Sequence, residues 1–290
     1  MNNPAHRARI AETTLTLPAL VWLGIFFLLP TLNVLFITFR PATLNGGIGE
    51  GWTLETLLSL RNPNYPLIVW RTLWVSASIA LFCLLLAVPV AYFMSRVPDR
   101  WKTRILLMVM VPFLTNFIIR VFAWKVILHP EGVIGRLFSA LGLIEPGQQL
   151  LYNTGAVILV SVYTYLPFAI LPVYAVAEKF DFALLEAAMD LGCKRFAAFW
   201  KIFIPGIQRG LVSAWLLVFI PNLGSYVIPH IIGGHGSELL GNVIARRLFT
   251  DRNLPHAAGL ASLLTLAVVL PMVGGIFLHR RREKAGAAAR

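Results

Sequence analysis

Charged side chains in this sequence gather in one stretch, residues 178–210. There Glu178, Asp181, Glu186 and Asp190 alternate with Lys179, Lys194, Arg195, Lys201 and Arg209. Such a stretch has the chemistry of a docking surface, with charge on one side and apolar residues at helical spacing on the other. Catalytic constellations do not appear. No G-x-x-x-x-G-K-[ST] phosphate loop and no H-E-x-x-H occurs. His230, His235 and His256 share one side of the chain, but their spacing matches no metal-site pattern. The two cysteines, Cys83 and Cys193, imply neither a disulfide framework nor a metal site.

The elements that must position this stretch are apolar. Of 290 residues, 58% are hydrophobic and 13% charged, whereas soluble domains carry about 45–50% apolar and about 25% charged residues. A membrane span needs roughly 20 mostly apolar residues, and six segments qualify: Leu15–Phe39, Thr72–Met94, Ile105–Leu128, Leu151–Ala177, Leu211–Ile232 and Ala257–His279. The first is too long for the core of a cleaved signal and reads as a retained span. The chain divides into residues 1–66 (tail, first span and outer loop), residues 67–279 (five spans and the charged loop) and the basic, alanine-rich tail 280–290, which is expected to fray.

The net charge of +12 is distributed as short clusters between apolar runs, a pattern of membrane topology and not of nucleic-acid binding. With both termini inside, 16 of the 25 lysines and arginines fall on the inner side, the bias expected of cytoplasmic loops. Both termini are therefore expected in the cytoplasm.

Within the loop, Asp181 is a favoured helix N-cap type, and Phe180 and Leu185 stand at staple positions. Leu184, Ala188 and Leu191 repeat at helical spacing, as do Leu185 and Met189, and Gly192 follows as a helix stop. A second helix from Lys194 places Phe196, Phe199, Trp200 and Phe203 on one face, and Pro205 ends it. The helix–glycine–helix unit is expected to dock on a partner. The other use of such a unit is to lie on lipid; its acidic residues argue against that at an anionic inner leaflet.

The run Glu186-Ala187-Ala188-x-x-x-Gly192, nine residues, then Ile202-x-Ile204-Pro205 resembles the EAA loop, E-A-A-x-x-x-G-x9-I-x-L-P, of permease subunits of binding-protein-dependent ABC importers. Ile204 in place of leucine is the one departure. The resemblance implies an all-α integral membrane fold, a six-helix type I importer domain with a cytoplasmic coupling loop. It implies that Glu186, Ala187, Ala188, Asp190, Gly192, Ile202 and Pro205 serve contact with the ATPase. Tyr165–Pro172, Arg120–Trp124 and Phe219–Pro229 are similar to segments of the polyamine (spermidine/putrescine) importers, specifically their first permease. In that family an acidic residue commonly stands where this chain has Ser225.

By that resemblance the chain has no cofactor and no ATPase site of its own. ATP and magnesium would sit on two partner ATPase subunits. The other partners are a second homologous permease, an extracytoplasmic solute-binding protein and the bilayer of a bacterial inner membrane, with no nucleic acid. No Asp or Glu lies in any span; the acids sit at the mouths, as Glu131, Glu238 and Asp251 do. A polycation would instead meet aromatic faces and neutral oxygens. The translocation path is expected to use Arg120, Trp124, Tyr163, Tyr165, Phe168, Asn222, Ser225 and Tyr226, with Arg120 expected to snorkel to the outer surface. Another small organic solute, a proton-coupled carrier and a membrane-embedded enzyme are the competing functions. The enzyme calls for intramembrane acids, a histidine cluster or a nucleophile constellation, and the carrier for ionisable residues at midplane; none of these patterns is visible in the spans.

Overall fold

A computed structural model describes residues 14, 16–43, 46–145 and 147–288; for residues 235, 271–273 and 275–288 it describes the backbone alone. The described residues are helical, with one isolated β-bridge between Ala42 and Ile48. The helices are α1 (Thr16–Ile37), α2 (Glu55–Ser59), α3 (Asn64–Arg96), α4 (Asp99–Leu114), α5 (Phe117–Ile127), α6 (Val133–Ala140), α7 (Thr154–Ala177), α8 (Ala183–Asp190), α9 (Arg195–Gly206), α10 (Gln208–Leu223), α11 (Val227–Ile232), α12 (Leu240–Ala245) and α13 (Leu254–Ala288).

Three helices, α1, α3 and α7, are long and apolar enough to cross a membrane unbroken. The third and fifth expected spans are each broken. Between α4 and α5 the chain bends by 88°. Thr115 is extended, and the Asn116 Oδ1 accepts the N–H groups of Ile118 (2.9 Å) and Ile119 (3.3 Å). That cap satisfies amides which an apolar medium could not. The fifth span stops at Leu223 and resumes as α11 after Gly224–Tyr226. The backbone of α13 continues as helix to Ala288, where a frayed tail was expected.

The chain forms two compact units, Pro66–Asn242 and Met1–Tyr65 with Val243–Arg290. The core of the first unit is built by α3, α7 and α10, with Val75, Ile79, Val160, Val173, Ala214 and Val218 buried. The packing of α7 against α10 is close because of one small residue. A Cβ at Gly210 would lie 2.9 Å from the Pro172 carbonyl oxygen and 3.1 Å from Val176, a distance that forces neighbouring atoms apart. Gly210 therefore serves helix packing. In the second unit α1 and α2 pack on α13, and Thr38, at the end of α1, hydrogen-bonds Ser262 of α13 at 3.2 Å.

Candidate functional site

The helix α8 begins where the Asp181 Oδ1 accepts the Ala183 N–H at 3.0 Å, so Asp181 does the capping work although regular helix starts two residues later. It ends in a Schellman motif: Gly192 N–H bonds the Met189 carbonyl at 2.9 Å and Cys193 N–H the Ala188 carbonyl at 3.0 Å. Gly192 has φ +88° and open space around it. Its glycine is thus a matter of backbone conformation and not of room.

Two faces of α8 then have separate roles. Leu185 is buried and Met189 half-buried against the body of the unit. Glu186, Ala187 and Asp190 are exposed, as are Leu184 (53%) and Leu191 (89%). The two leucines put apolar surface on the exposed side of a capped helix.

Aromatic rings behind the loop hold it. Phe203 is fully buried, with the rings of Tyr92 (5.0 Å), Phe180 (5.2 Å) and Phe199 (5.3 Å) around it. Arg96 lies over Tyr92 and Phe182 at 5.2 and 5.0 Å. Gly206 lets this cluster close, since a Cβ there would collide with the Phe180 ring. The four-aromatic face expected of α9 divides in two. Phe199 and Phe203 turn inward, but Phe196 (75%) and Trp200 (51%) are exposed. A π turn runs over Phe199–Phe203, closed by Ile204 N–H to the Phe199 carbonyl. Its extra residue rotates the following face, and Pro205, whose ring crowds the carbonyl four residues back, loosens that turn. Ile202 packs half-buried on the core, while Pro205 is exposed at the loop exit.

Between α3, α8 and α9 lies a cleft of about 480 Å³ lined by Tyr92, Arg96, Leu185, Glu186, Met189, Arg195, Ala198 and Phe199. Tyr92 and Arg96 were not among the expected site residues. Their signal was an aromatic and a cation four residues apart at the C-terminal end of the second span, which reads as topology alone. A brace sits beside the loop. The Tyr174 hydroxyl donates to Glu178 at 2.7 Å, and Lys102 pairs with Glu178 (3.3 Å) and Asp99 (2.9 Å). The Tyr174 hydrogen bond, with help from Lys102, holds the Glu178 carboxyl below the usual carboxylate range.

The residues expected along a path divide differently. Arg120 lies over the Phe113 ring at 5.8 Å, Phe113 meets Phe168 at 5.1 Å, and Phe168 meets Tyr165 at 6.2 Å. Trp124 meets Tyr163 at 5.2 Å. These rings come from α4, α5 and α7, and α11 packs on both α5 and α7. Arg120 does not snorkel: it is 7% exposed, and its Nη2 donates to the Thr115 carbonyl at 3.4 Å. A cation thus meets the carbonyl end of α4, where the helix dipole favours it. Asn222 is buried within α10, its Nδ2 on the Val218 carbonyl at 2.8 Å, so it faces packing and not open space. Ser225 and Tyr226 occupy the break after α10, where Asn242 donates to the Tyr226 carbonyl at 3.2 Å.

The broken apolar spans and the capped loop that follows α7 are the architecture of an integral membrane component. Residues 83–283 match the family model of the binding-protein-dependent transport system inner membrane component, and the chain belongs to that family. It is 34% identical over 263 residues to the spermidine/putrescine transport system permease protein PotB of Haemophilus influenzae, covering 91% of each chain. It is 32% identical over 252 residues to the protein of the same name from Escherichia coli K12, covering 87% of this chain and 91% of the other. The fold matches a solved bacterial ABC transporter involved in the import of the acidic polysaccharide alginate, with TM-score 0.68, 16% identity and coverage of 95% and 96%.

Proposed function

We propose that this permease subunit moves polyamines of the spermidine/putrescine type inward, driven by ATP hydrolysis on two partner ATPase subunits that carry the ATP and magnesium. The observation that carries the coupling is α8: a capped helix, fixed at its end by Gly192, presents Leu184, Glu186, Ala187 and Leu191 to a partner. In this reading the ATPase grips that face, and its closure moves α8 as a lever. The aromatic cluster around Phe203 transmits the push to the end of α3 through Tyr92 and Arg96. The spans then alternate between outward and inward openings at the interface with a second homologous permease. An extracytoplasmic binding protein delivers the cargo. Both termini lie in the cytoplasm, in keeping with the lysine and arginine bias of the loops.

The relatives named above support the cargo. Aromatic faces at Trp124, Tyr163, Tyr165 and Phe168 suit an alkylammonium by cation–π attraction. One observation favours a second reading, another small organic solute: the spans hold no carboxylate. Calorimetry of the cognate binding protein separates the two. Tight binding of spermidine or putrescine is expected; tight binding of a sugar or an anion instead overturns the polyamine assignment.

A further inference from the structure

At the start of α3, the end opposite Arg96, five side chains form a hydrogen-bonded chain that the transport reading does not use. Ser59, on α2, donates its hydroxyl proton to the Thr56 carbonyl at 2.6 Å. Ser59 Oγ is therefore an acceptor toward His256 Nδ1, 3.3 Å away. In the neutral ring this places the imidazole proton on Nδ1 and leaves Nε2 with a lone pair. Tyr65 then donates its hydroxyl to Nε2 at 2.7 Å. The Tyr65 oxygen is left to accept from Arg247 Nη2 at 3.3 Å, while Arg247 Nη1 pairs with Asp251 at 2.8 Å. In this arrangement each hydroxyl and imidazole proton has one acceptor, and the histidine is neutral.

The two rings at the centre of the chain are enclosed. His256 is 9% exposed and Tyr65 is buried, and His256 N–H is itself bound to Asn253 Oδ1 at 3.1 Å. The elements around the imidazole contribute three groups that face it: Tyr65 from α3, and Arg247 and Asp251 from the turn before α13. Glu55 and Arg61, on the same outer segment as Ser59, lie at the surface. His256 precedes the sixth span, and burial, with the Arg247 charge, holds its imidazole below the ordinary histidine value.

We propose that His256 is a proton-operated latch that ties the outer segment around α2 to the start of α13. A proton from water taken up on Nε2 removes the acceptor for the Tyr65 hydroxyl. It also points two donors, Nε2–H and Arg247 Nη2, at one oxygen, and sets a second cation near Arg247. Tyr65 must then leave the histidine, and α2 is freed from α13. The sign follows from the neutral native state: the latch is closed above the ordinary histidine range and opens as pH falls through and below it. The latch stands on this unit alone and holds whatever the cargo is.

The test uses the assembled importer in nanodiscs, with spin labels on Leu58→Cys and Phe249→Cys, both exposed, and with Cys193→Ser; Cys83 is fully buried. The label-to-label distance distribution is measured at about pH 7.5 and about pH 5, on either side of the ordinary histidine range. A narrow distribution that broadens and lengthens at the lower pH is expected, and His256→Gln should abolish that change. Tyr65→Phe, which keeps the histidine, should be broad already at the higher pH. An unchanged distribution in the parent protein overturns the latch. So does a parent-like pH response in His256→Gln, or a narrow distribution in Tyr65→Phe at the higher pH.

Discussion

The Cys193 amide reaches back across Gly192 to the Ala188 carbonyl at 3.0 Å, closing the end of α8. Ala188 belongs to the Glu186-Ala187-Ala188 run, so the motif's alanine and its glycine are two ends of one hydrogen-bonded turn. A Gly192→Ala variant must hold a Cβ at φ +88°, a cost of about 1–2 kcal/mol, or give up that turn. Uptake is expected to fall toward background while the subunit stays in the membrane at normal level. Transport assays paired with immunoblots of the membrane fraction check both halves.

Gly206 is a different case, set by room and not by backbone. Gly206→Ala presses on the Phe180 ring and through it on Phe203. Overpacking of this sort costs about 1–3 kcal/mol. A lower melting temperature of the purified subunit is expected, read by thermal unfolding in detergent. Gly210→Ala is expected to lower it as well, because its Cβ would press on the Pro172 backbone carbonyl, which cannot swing aside as a side chain can.

Much of the docking loop was legible in the sequence because its signals are local. Asp181 and Gly192 act within one turn of their own positions, and the structure uses both where the spacing put them, whereas α9 runs past Pro205 to Gly206. The face of α9 was not legible. Helical periodicity puts Phe196, Phe199, Trp200 and Phe203 on one broad stripe but does not say which edge of the stripe meets the core; Phe199 and Phe203 do, and Phe196 and Trp200 lie outside. The break in the third span was signalled by Asn116, a favoured cap residue within an apolar run. Its consequence for Arg120 depends on a bend of 88°, which no periodicity encodes.

Arg120→Met tests that consequence. The substitution keeps the apolar stem but leaves the Thr115 carbonyl without its donor. A loss of about 1–3 kcal/mol is the ordinary result of an unsatisfied buried polar group, and Arg120→Lys should recover part of it. Thermal unfolding of the three proteins gives the answer. An arginine that merely snorkelled would leave Arg120→Met as stable as its parent.

The brace at Glu178 carries a pH dependence. Its carboxyl is held below the usual range by Tyr174 and Lys102. Its stabilising effect is therefore present above the ordinary carboxylate value and is lost as pH falls through the depressed one. Melting curves from neutral to acid pH should show this loss in the parent protein. Glu178→Gln should start less stable at neutral pH and fall less on acidification.

The central claim, polyamine import coupled through α8, is tested most directly by reconstitution. Proteoliposomes would contain this chain, the second permease, the ATPase subunits and internal ATP, and receive binding protein loaded with radiolabelled spermidine. ATP-dependent accumulation of the label is expected, and Glu186→Ala, at an exposed position of α8, should abolish it while the complex still assembles. Accumulation by Glu186→Ala at the parent rate would contradict the coupling role of α8, and no ATP-dependent accumulation by the parent would contradict the cargo.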